Sequence, residues 1–275
     1  MALPSYLTPL ERAWHACLLV ICGLIFVFLT APIFVVMPLS FNSESFFSLP
    51  MPGYSLQWYE QVFTHPDWRN AAVNSLVVAI SVTLLSTFLG TLAALGLSHA
   101  DFPLKGWITA VLISPLVVPT VIAGVGLFFF YAMIDLVYSL TGLILAHTVL
   151  ATPFVVILVT ATLTGFDRNQ VRAGASLGAN PVQVFFRVTM PLIMPGMVSA
   201  AILAFVTSFD EVVVALFLAG PEQHTLPRQM WKGVREQLNP AILALSVLLV
   251  LVSLAVLLLN EWLRRRSARL RGLQP

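Results

Sequence analysis

The sequence contains very little charge. Only 9% of its residues are Asp, Glu, Lys or Arg, whereas about a quarter of the residues are charged in an ordinary soluble domain. A soluble domain needs a polar surface, and a chain in which 59% of the residues are hydrophobic cannot supply one of the usual kind. The composition therefore excludes an ordinary soluble protein.

The residues that usually carry metal or redox chemistry are also scarce. The two cysteines, Cys17 and Cys22, lie five positions apart in one apolar run, where a helix would point them in different directions. We therefore expect neither a disulfide nor a metal site from them. The histidines are scattered, and none has ligand spacing to a second metal-binding residue. They lie at positions 15, 65, 99, 147 and 224.

A phosphate-binding Gly-x-x-x-x-Gly-Lys-Ser/Thr motif is likewise missing from the sequence. We therefore predict that the chain is not an enzyme, has no catalytic residues, and binds no cofactor or metal of its own. His147 lies alone in an apolar run. We interpret it as a hydrogen-bonded residue between helices rather than as a member of a proton relay.

Most of the chain consists of long segments without a charged residue. Each is long enough for the roughly 20 residues that cross a bilayer as a helix, and strands of alternating polarity are absent. We predict an all-α membrane protein with six transmembrane helices in a single domain over residues 1–275. The predicted spans are 13–39, 71–99, 107–134, 138–164, 193–219 and 240–263.

Prolines interrupt the third predicted span at Pro115 and Pro119. A proline inside a membrane helix removes a backbone hydrogen bond and bends the axis, which is tolerated best where the helix lines a cavity. We expect this span to be bent and to line such a cavity. A bend that serves packing alone is the alternative.

The distribution of Lys and Arg predicts the orientation of the chain, because cytoplasmic loops are enriched in these residues. With both termini in the cytoplasm, ten of them face inward and four outward. The outer four are Arg69, Arg228, Lys232 and Arg235. This orientation places the segment 165–192 in the cytoplasm. The Arg-rich tail after Glu261 suits anionic lipid headgroups, and we expect no nucleic acid partner.

The polar segment 165–192 carries a recognisable motif. Arg172-Ala173-Gly174 is followed by Gly178 and then by Val188-Thr189-Met190-Pro191. Ser176 and the neighbouring small residues would let another protein approach a short helix, Gly178 could end it, and Pro181 and Pro191 could keep it from continuing. The spacing resembles the signature loop of bacterial ABC-importer permeases, although Arg172 stands where that family has Glu.

That resemblance implies the fold and the partners of the chain. It implies a type I ABC-importer permease fold with a cytoplasmic coupling helix, located in a bacterial inner membrane. The implied partners are a second homologous permease, two ATP-binding subunits and a periplasmic substrate-binding protein. ATP and Mg²⁺ would then be bound by the ATP-binding subunits. Arg172 implies a changed or a weaker contact with them.

Two adjacent acids, Asp210 and Glu211, follow Phe209 between apolar runs. Carboxylates at such a depth are costly unless they face water, a cation or a partner. Because neighbouring residues on a helix diverge by about 100°, only one of the two can point directly into a central path. The alternative is that both acids are structural and pair near the outer interface with a residue such as Arg228.

From Ser208 onward the sequence resembles the second permease subunit of spermidine/putrescine importers. The resemblance includes the acidic pair, Gly220-Pro221 and Asn239-Pro240. It implies import of a polyamine through a path that includes Phe209, Asp210, Glu211 and Thr120, in which Asp210, the first acid of the pair, meets the substrate amine. Thr120 stands where permeases of this group often carry another acid, so an ω-amino acid such as γ-aminobutyrate remains an alternative substrate. An ATP-independent channel or carrier is the more distant alternative.

Overall fold

The structure of the chain is a computed structural model that describes residues 8–45, 50–99, 102–165, 169–236 and 239–270, without the side chains of 12, 99, 236, 256, 257 and 259–270. The described part is helical and contains no strand beyond an isolated bridge between Asn42 and Tyr54. The α-helices are α1 (Pro9–Leu39), α2 (Gln57–Thr64), α3 (Pro66–His99), α4 (Lys105–Ile113), α5 (Thr120–Ala132), α6 (Leu140–Thr164), α7 (Asn169–Ser176), α8 (Pro181–Val184), α9 (Met190–Phe209), α10 (Val213–Leu218), α11 (Leu226–Glu236) and α12 (Ala241–Leu270).

Two compact units make up the chain, and one of them comprises residues 1–65 and 233–275. Its first helix, α1, begins with a capping box in which Thr8 accepts from the backbone of Glu11 and the Glu11 carboxylate accepts in return. Most apolar side chains of α1 are exposed, as expected of a helix whose surroundings are lipid. After α1 the chain is held by the Trp58 indole N–H, which donates to the Asn42 carbonyl at 2.6 Å.

The second unit comprises residues 66–232. Its core forms where α3, α6 and α9 pack against one another. Small residues bring these backbones close together: a Cβ on Gly90 would lie 2.7 Å from Val155, and one on Gly196 would lie 2.0 Å from the Thr162 hydroxyl. Glycine at these two positions therefore permits a close approach of the helices.

The third predicted span is broken rather than gently bent. Helix α4 and a 3₁₀ turn over Ser114–Leu116 are inclined by 100° to α5. Pro119 supplies the physical reason, because it has no N–H to donate and disfavours helical geometry at the preceding residue. The expected bend is confirmed, and it is large enough to make two helices of the stretch 107–134.

The fifth predicted span also differs in its bounds. A continuous helical segment runs from Pro181 to Phe209 through a π-helical turn over Phe185–Thr189. The prediction that Pro191 stops the chain from continuing as a helix is therefore wrong. Pro191 lies in the first turn of α9, directly after the wider π-helical turn, which accommodates its missing N–H. Beyond Phe209 the helix stops, and α10 is a separate element.

Four helices in the described ranges are long and apolar enough to cross a membrane, and the broken pair would make a fifth. The sixth predicted span, 240–263, coincides with most of α12, whose side chains are described only in part beyond Ala255. The side chains of the arginine-rich tail lie outside the described residues. Six spans in a single domain, and the contact of the tail with lipid, stay predictions.

Candidate functional site

The predicted coupling segment contains a short helix with a defined end. Three hydrogen bonds close α7: Leu177 N–H to the Ala173 carbonyl, Gly178 N–H to Ala175, and Ala179 N–H to Gly174. Gly178 has a φ of +84°, which is the left-handed geometry that glycine adopts freely at helix ends. The prediction that Gly178 ends this helix through a positive φ is confirmed.

A second short helix starts immediately afterwards. Asn180 caps α8 through the Gln183 backbone, and the Gln183 side chain accepts from Asn180 in return. Pro181 occupies the first helical position, where a missing N–H costs nothing. Pro181 therefore separates the two helices as the sequence predicts, since α7 cannot continue through it.

The small residues of α7 serve two different surfaces. Arg172, Ala173 and Ser176 are exposed, and the Ser176 hydroxyl donates to the Arg172 carbonyl. Gly174, in contrast, faces its own chain, because a Cβ there would lie 3.4 Å from Val188 and 3.5 Å from Val184. Gly174 therefore lies beside the helical segment that follows, and its role toward an incoming protein stays a prediction.

The acidic pair lies at the break between α9 and α10. Asp210 is exposed, and its backbone N–H donates to the Val206 carbonyl as the last bond of α9. In the part of the chain that the structure describes, no hydrogen bond or ion pair engages its carboxylate. A negative charge at the carboxyl end of a helix is opposed by the helix dipole, so local stability does not explain this acid.

Glu211 has a local structural role that Asp210 lacks. Its Oε1 atom accepts from the Val214 backbone N–H at 2.7 Å, in the first turn of α10. A carboxylate at the amino end of a helix satisfies an unpaired N–H and interacts favourably with the dipole. The structure thus distinguishes the two adjacent acids. The Glu211 carboxylate accepts a hydrogen bond from the start of α10, whereas the Asp210 carboxylate has no hydrogen-bond partner among the described residues.

The other predicted path residues flank this break. Phe209 is half-buried, and its ring stacks on Phe205 with centroids 5.6 Å apart. Thr120 is exposed at the start of α5. Helix α5 packs on α10 where Gly124 meets the Phe217 ring. The structure therefore places the helix that carries Thr120 beside the element that follows the acids, without a hydrogen bond between Thr120 and either acid among the described residues.

The segment that connects α10 to α11 is anchored by polar side chains. The Arg228 guanidinium donates to the carbonyl oxygens of Ala219 and Gly220. Among the described residues Arg228 contacts these backbone carbonyls and forms no ion pair with Asp210 or Glu211. From α3, the Asn74 amide donates to the carbonyl oxygens of Glu222 and His224 at 2.8 and 3.1 Å.

His224 is the titratable residue of the segment between α10 and α11 whose pKa departs from its ordinary value. Burial lowers the pKa of His224 below its ordinary value, nearby Arg228 and Lys232 lower it further, and a hydrogen bond to Gln229 opposes the change. The folded segment therefore favours the neutral ring. Its stabilisation is complete above the unfolded pKa of about 6.5 and is lost as pH falls through the lower folded pKa.

We expect faster amide hydrogen exchange in residues 219–232 at pH 5 than at pH 7.5, after correction for intrinsic exchange rates. The reason is that protonation of His224 opposes the folded arrangement. Mass spectrometry of the protein in nanodiscs measures this exchange. A His224→Gln variant is the control, since its amide does not titrate; the same pH effect in that variant would contradict the assignment.

For one buried contact near the acids, the sequence predicted one residue but not its partner. His147 on α6 is 1% exposed, and its Nδ1 atom lies 3.1 Å from the hydroxyl of Ser208, which is 4% exposed. The interpretation of His147 as a hydrogen-bonded residue between helices is confirmed. Its partner could not be predicted, because nothing in the sequence shows which helix faces α6.

Comparisons with known proteins agree with this architecture. Residues 86–269 match the family model described as binding-protein-dependent transport system inner membrane component. The chain is 28% identical to the spermidine/putrescine transport system permease protein PotC of Haemophilus influenzae, covering 88% of this chain and 94% of that one. It is 33% identical to the putrescine transport system permease protein PotI of Escherichia coli, covering 84% and 85% respectively.

A solved structure has the same fold. A crystal structure of a bacterial ABC transporter involved in the import of the acidic polysaccharide alginate superposes on 94% of this chain and 99% of that one, with a TM-score of 0.77. The sequences are only 14% identical, so this likeness concerns the fold alone. It confirms the predicted type I permease fold.

Proposed function

The chain belongs to the family of binding-protein-dependent transport system inner membrane components, and from that premise we propose that it is the permease subunit of an ATP-driven importer of polyamines. The observation that carries the proposal is the similarity to PotC and PotI, which are named for spermidine and putrescine, over most of each chain. Membership of this family already makes the chain a transport component of the inner membrane.

The Asp210 carboxylate, which is exposed and has no partner among the described residues, supports an amine as the substrate. A cationic amine that leaves water needs a compensating charge, and a carboxylate at the path supplies it. Since Glu211 caps α10, Asp210 is the acid available to meet the substrate. Phe209 and Thr120 complete the proposed path, with Phe209 beside the acid and Thr120 on the helix that packs against α10.

A second candidate substrate is an ω-amino acid such as γ-aminobutyrate. The neutral, exposed side chain of Thr120 favours it, because one carboxylate on the path compensates a single amine better than the two or three of a polyamine. Uptake of labelled putrescine, spermidine and γ-aminobutyrate by the complete transporter distinguishes the two. Transport of γ-aminobutyrate without either polyamine would replace the first proposal with the second.

The energy source lies outside this chain in the proposed mechanism. Helix α7 is the coupling helix, with its exposed residues Arg172, Ala173 and Ser176 facing an ATP-binding subunit. Two such subunits bind ATP and Mg²⁺, and a second permease and a periplasmic binding protein complete the assembly. Both termini lie in the cytoplasm, so that α7 is on the side where ATP is available. The lack of a phosphate-binding motif supports this division of labour.

We expect the purified chain in liposomes to show no saturable amine uptake, with or without ATP. The complete assembly should show uptake that requires ATP and the binding protein, because hydrolysis drives the conformational cycle. Flux of labelled putrescine in the two preparations measures this difference. Saturable, ATP-independent uptake by the chain alone would identify it as a channel or carrier and would overturn the proposal.

A further inference from the structure

His147 and Ser208 form a buried polar contact in a part of the molecule that is otherwise apolar. Both are almost fully buried, and their side chains join α6 to the last turn of α9 across 61 positions of sequence. Around them, Leu143, Ala146, Ala151 and Ala204 are buried hydrophobic residues. A polar pair costs more to bury than an apolar pair of similar size unless it is fully satisfied, so packing alone does not account for it.

This pair is not fully satisfied. Nδ1 of His147 contacts the Ser208 hydroxyl, whereas Nε2 is buried and has no hydrogen-bond partner among the described residues. Only one edge of the imidazole therefore carries an interaction, and that interaction is directed at α9. The contact at Nδ1 therefore orients the ring and links α6 to the last turn of α9.

The position of Ser208 suggests what the contact with His147 does. Ser208 lies two residues before Asp210, in the last turn of α9, where the helix ends and Asp210 adopts φ −91° and ψ −5°. Beyond this point Glu211 is held by α10, so the Asp210 backbone is fixed from both sides. On the α9 side, the side-chain hydrogen bond that ties the final turn to another helix comes from His147.

We propose that His147 is a positioning residue: through Nδ1 and the Ser208 hydroxyl it fixes the end of α9, and so sets where the Asp210 carboxylate meets the substrate amine. This inference rests on the proposed function of Asp210. His147 itself touches no substrate, because it is buried behind the break. Loss of the hydrogen bond lets the last turn of α9 shift and separates the carboxylate from the path of the amine.

Two amide substitutions separate this role from simple packing. The amide group of Asn is attached to Cγ, as Nδ1 is in His, so His147→Asn can still bond to Ser208. The amide of Gln lies one carbon further out, near the place of Nε2, so His147→Gln loses the bond although Gln is closer to His in volume. Positioning predicts that Asn preserves transport better than Gln, and packing predicts the reverse order.

The test uses the complete transporter in proteoliposomes with saturating binding protein, and measures putrescine uptake per assembled complex. We expect His147→Gln and Ser208→Ala each to lower the rate roughly three- to tenfold, and the double variant to lower it no further than either alone. We expect His147→Asn to stay within about twofold of the parent. Ser199→Ala, on α9 with its hydroxyl bonded to the Pro195 carbonyl, is the matched control and should match the parent.

Two results would overturn the inference. One is better transport by His147→Gln than by His147→Asn, and the other is additive losses in the double variant. Both results are compared with the rate of a parental transporter that imports putrescine. Failure of the proposed function would look different, because the parental transporter itself would then not import the amine.

Discussion

Asp210→Asn lowers uptake of the amine substrate by about tenfold or more, with assembly of the transporter unchanged. Asn keeps the size and the hydrogen-bonding capacity of the side chain and removes only its charge. The amine loses its compensating charge in the variant, and a tenfold fall in rate corresponds to about 1.4 kcal/mol. Because the carboxylate is exposed and unpaired among the described residues, folding does not depend on it.

The neighbouring acid provides the control for this experiment. Glu211→Gln removes a charge one residue away but leaves an amide oxygen that can still accept from the Val214 N–H. We therefore expect uptake to fall by less than about threefold, through a weaker interaction with the α10 dipole. Labelled putrescine, spermidine and γ-aminobutyrate are measured with both variants. Parental rates in Asp210→Asn would show that its charge is structural and that the path assignment is wrong.

Gly178→Val uncouples ATP hydrolysis from the permease while membrane insertion survives. At a φ of +84° a β-branched residue is strained, and the cost is roughly 1–3 kcal/mol. A Cβ at this position would meet no atom within 4 Å, so the penalty comes from the backbone alone. The expected result is a loss of at least about fivefold in substrate-stimulated ATP hydrolysis, because the end of α7 no longer holds its geometry.

Gly178→Asn is the matched control, since Asn tolerates the left-handed region and also ends helices there. It should retain most of the stimulation. Ala173→Trp tests the surface rather than the backbone, because Ala173 is exposed and a large ring there obstructs only an incoming protein. ATPase stimulation by substrate-loaded binding protein measures all three variants. Normal coupling in both Gly178→Val and Ala173→Trp would rule out α7 as the coupling helix.

Several features of the molecule were determined by local chemistry and could be predicted from the sequence. Charge-free runs indicate membrane helices because hydrocarbon admits no unpaired backbone groups. Gly178 ends α7, and Pro181 begins the next helix, because each residue restricts the backbone at its own position. The acidic pair was recognisable because charge is rare in this chain.

Only the tertiary structure decided how these segments are used. The 100° break before α5 exceeds what two prolines alone imply, and the segment Pro181–Phe209 is helical through Pro191 because a π-helical turn precedes it. Asp210 and Glu211 are adjacent carboxylates of similar chemistry, yet only Glu211 accepts a hydrogen bond from the start of α10. Likewise, His147 meets Ser208, and Gly174 meets Val184 and Val188. Periodicity and propensity act over a few residues, whereas these contacts depend on which helix faces which, and that is decided only when the helices of residues 66–232 pack against one another.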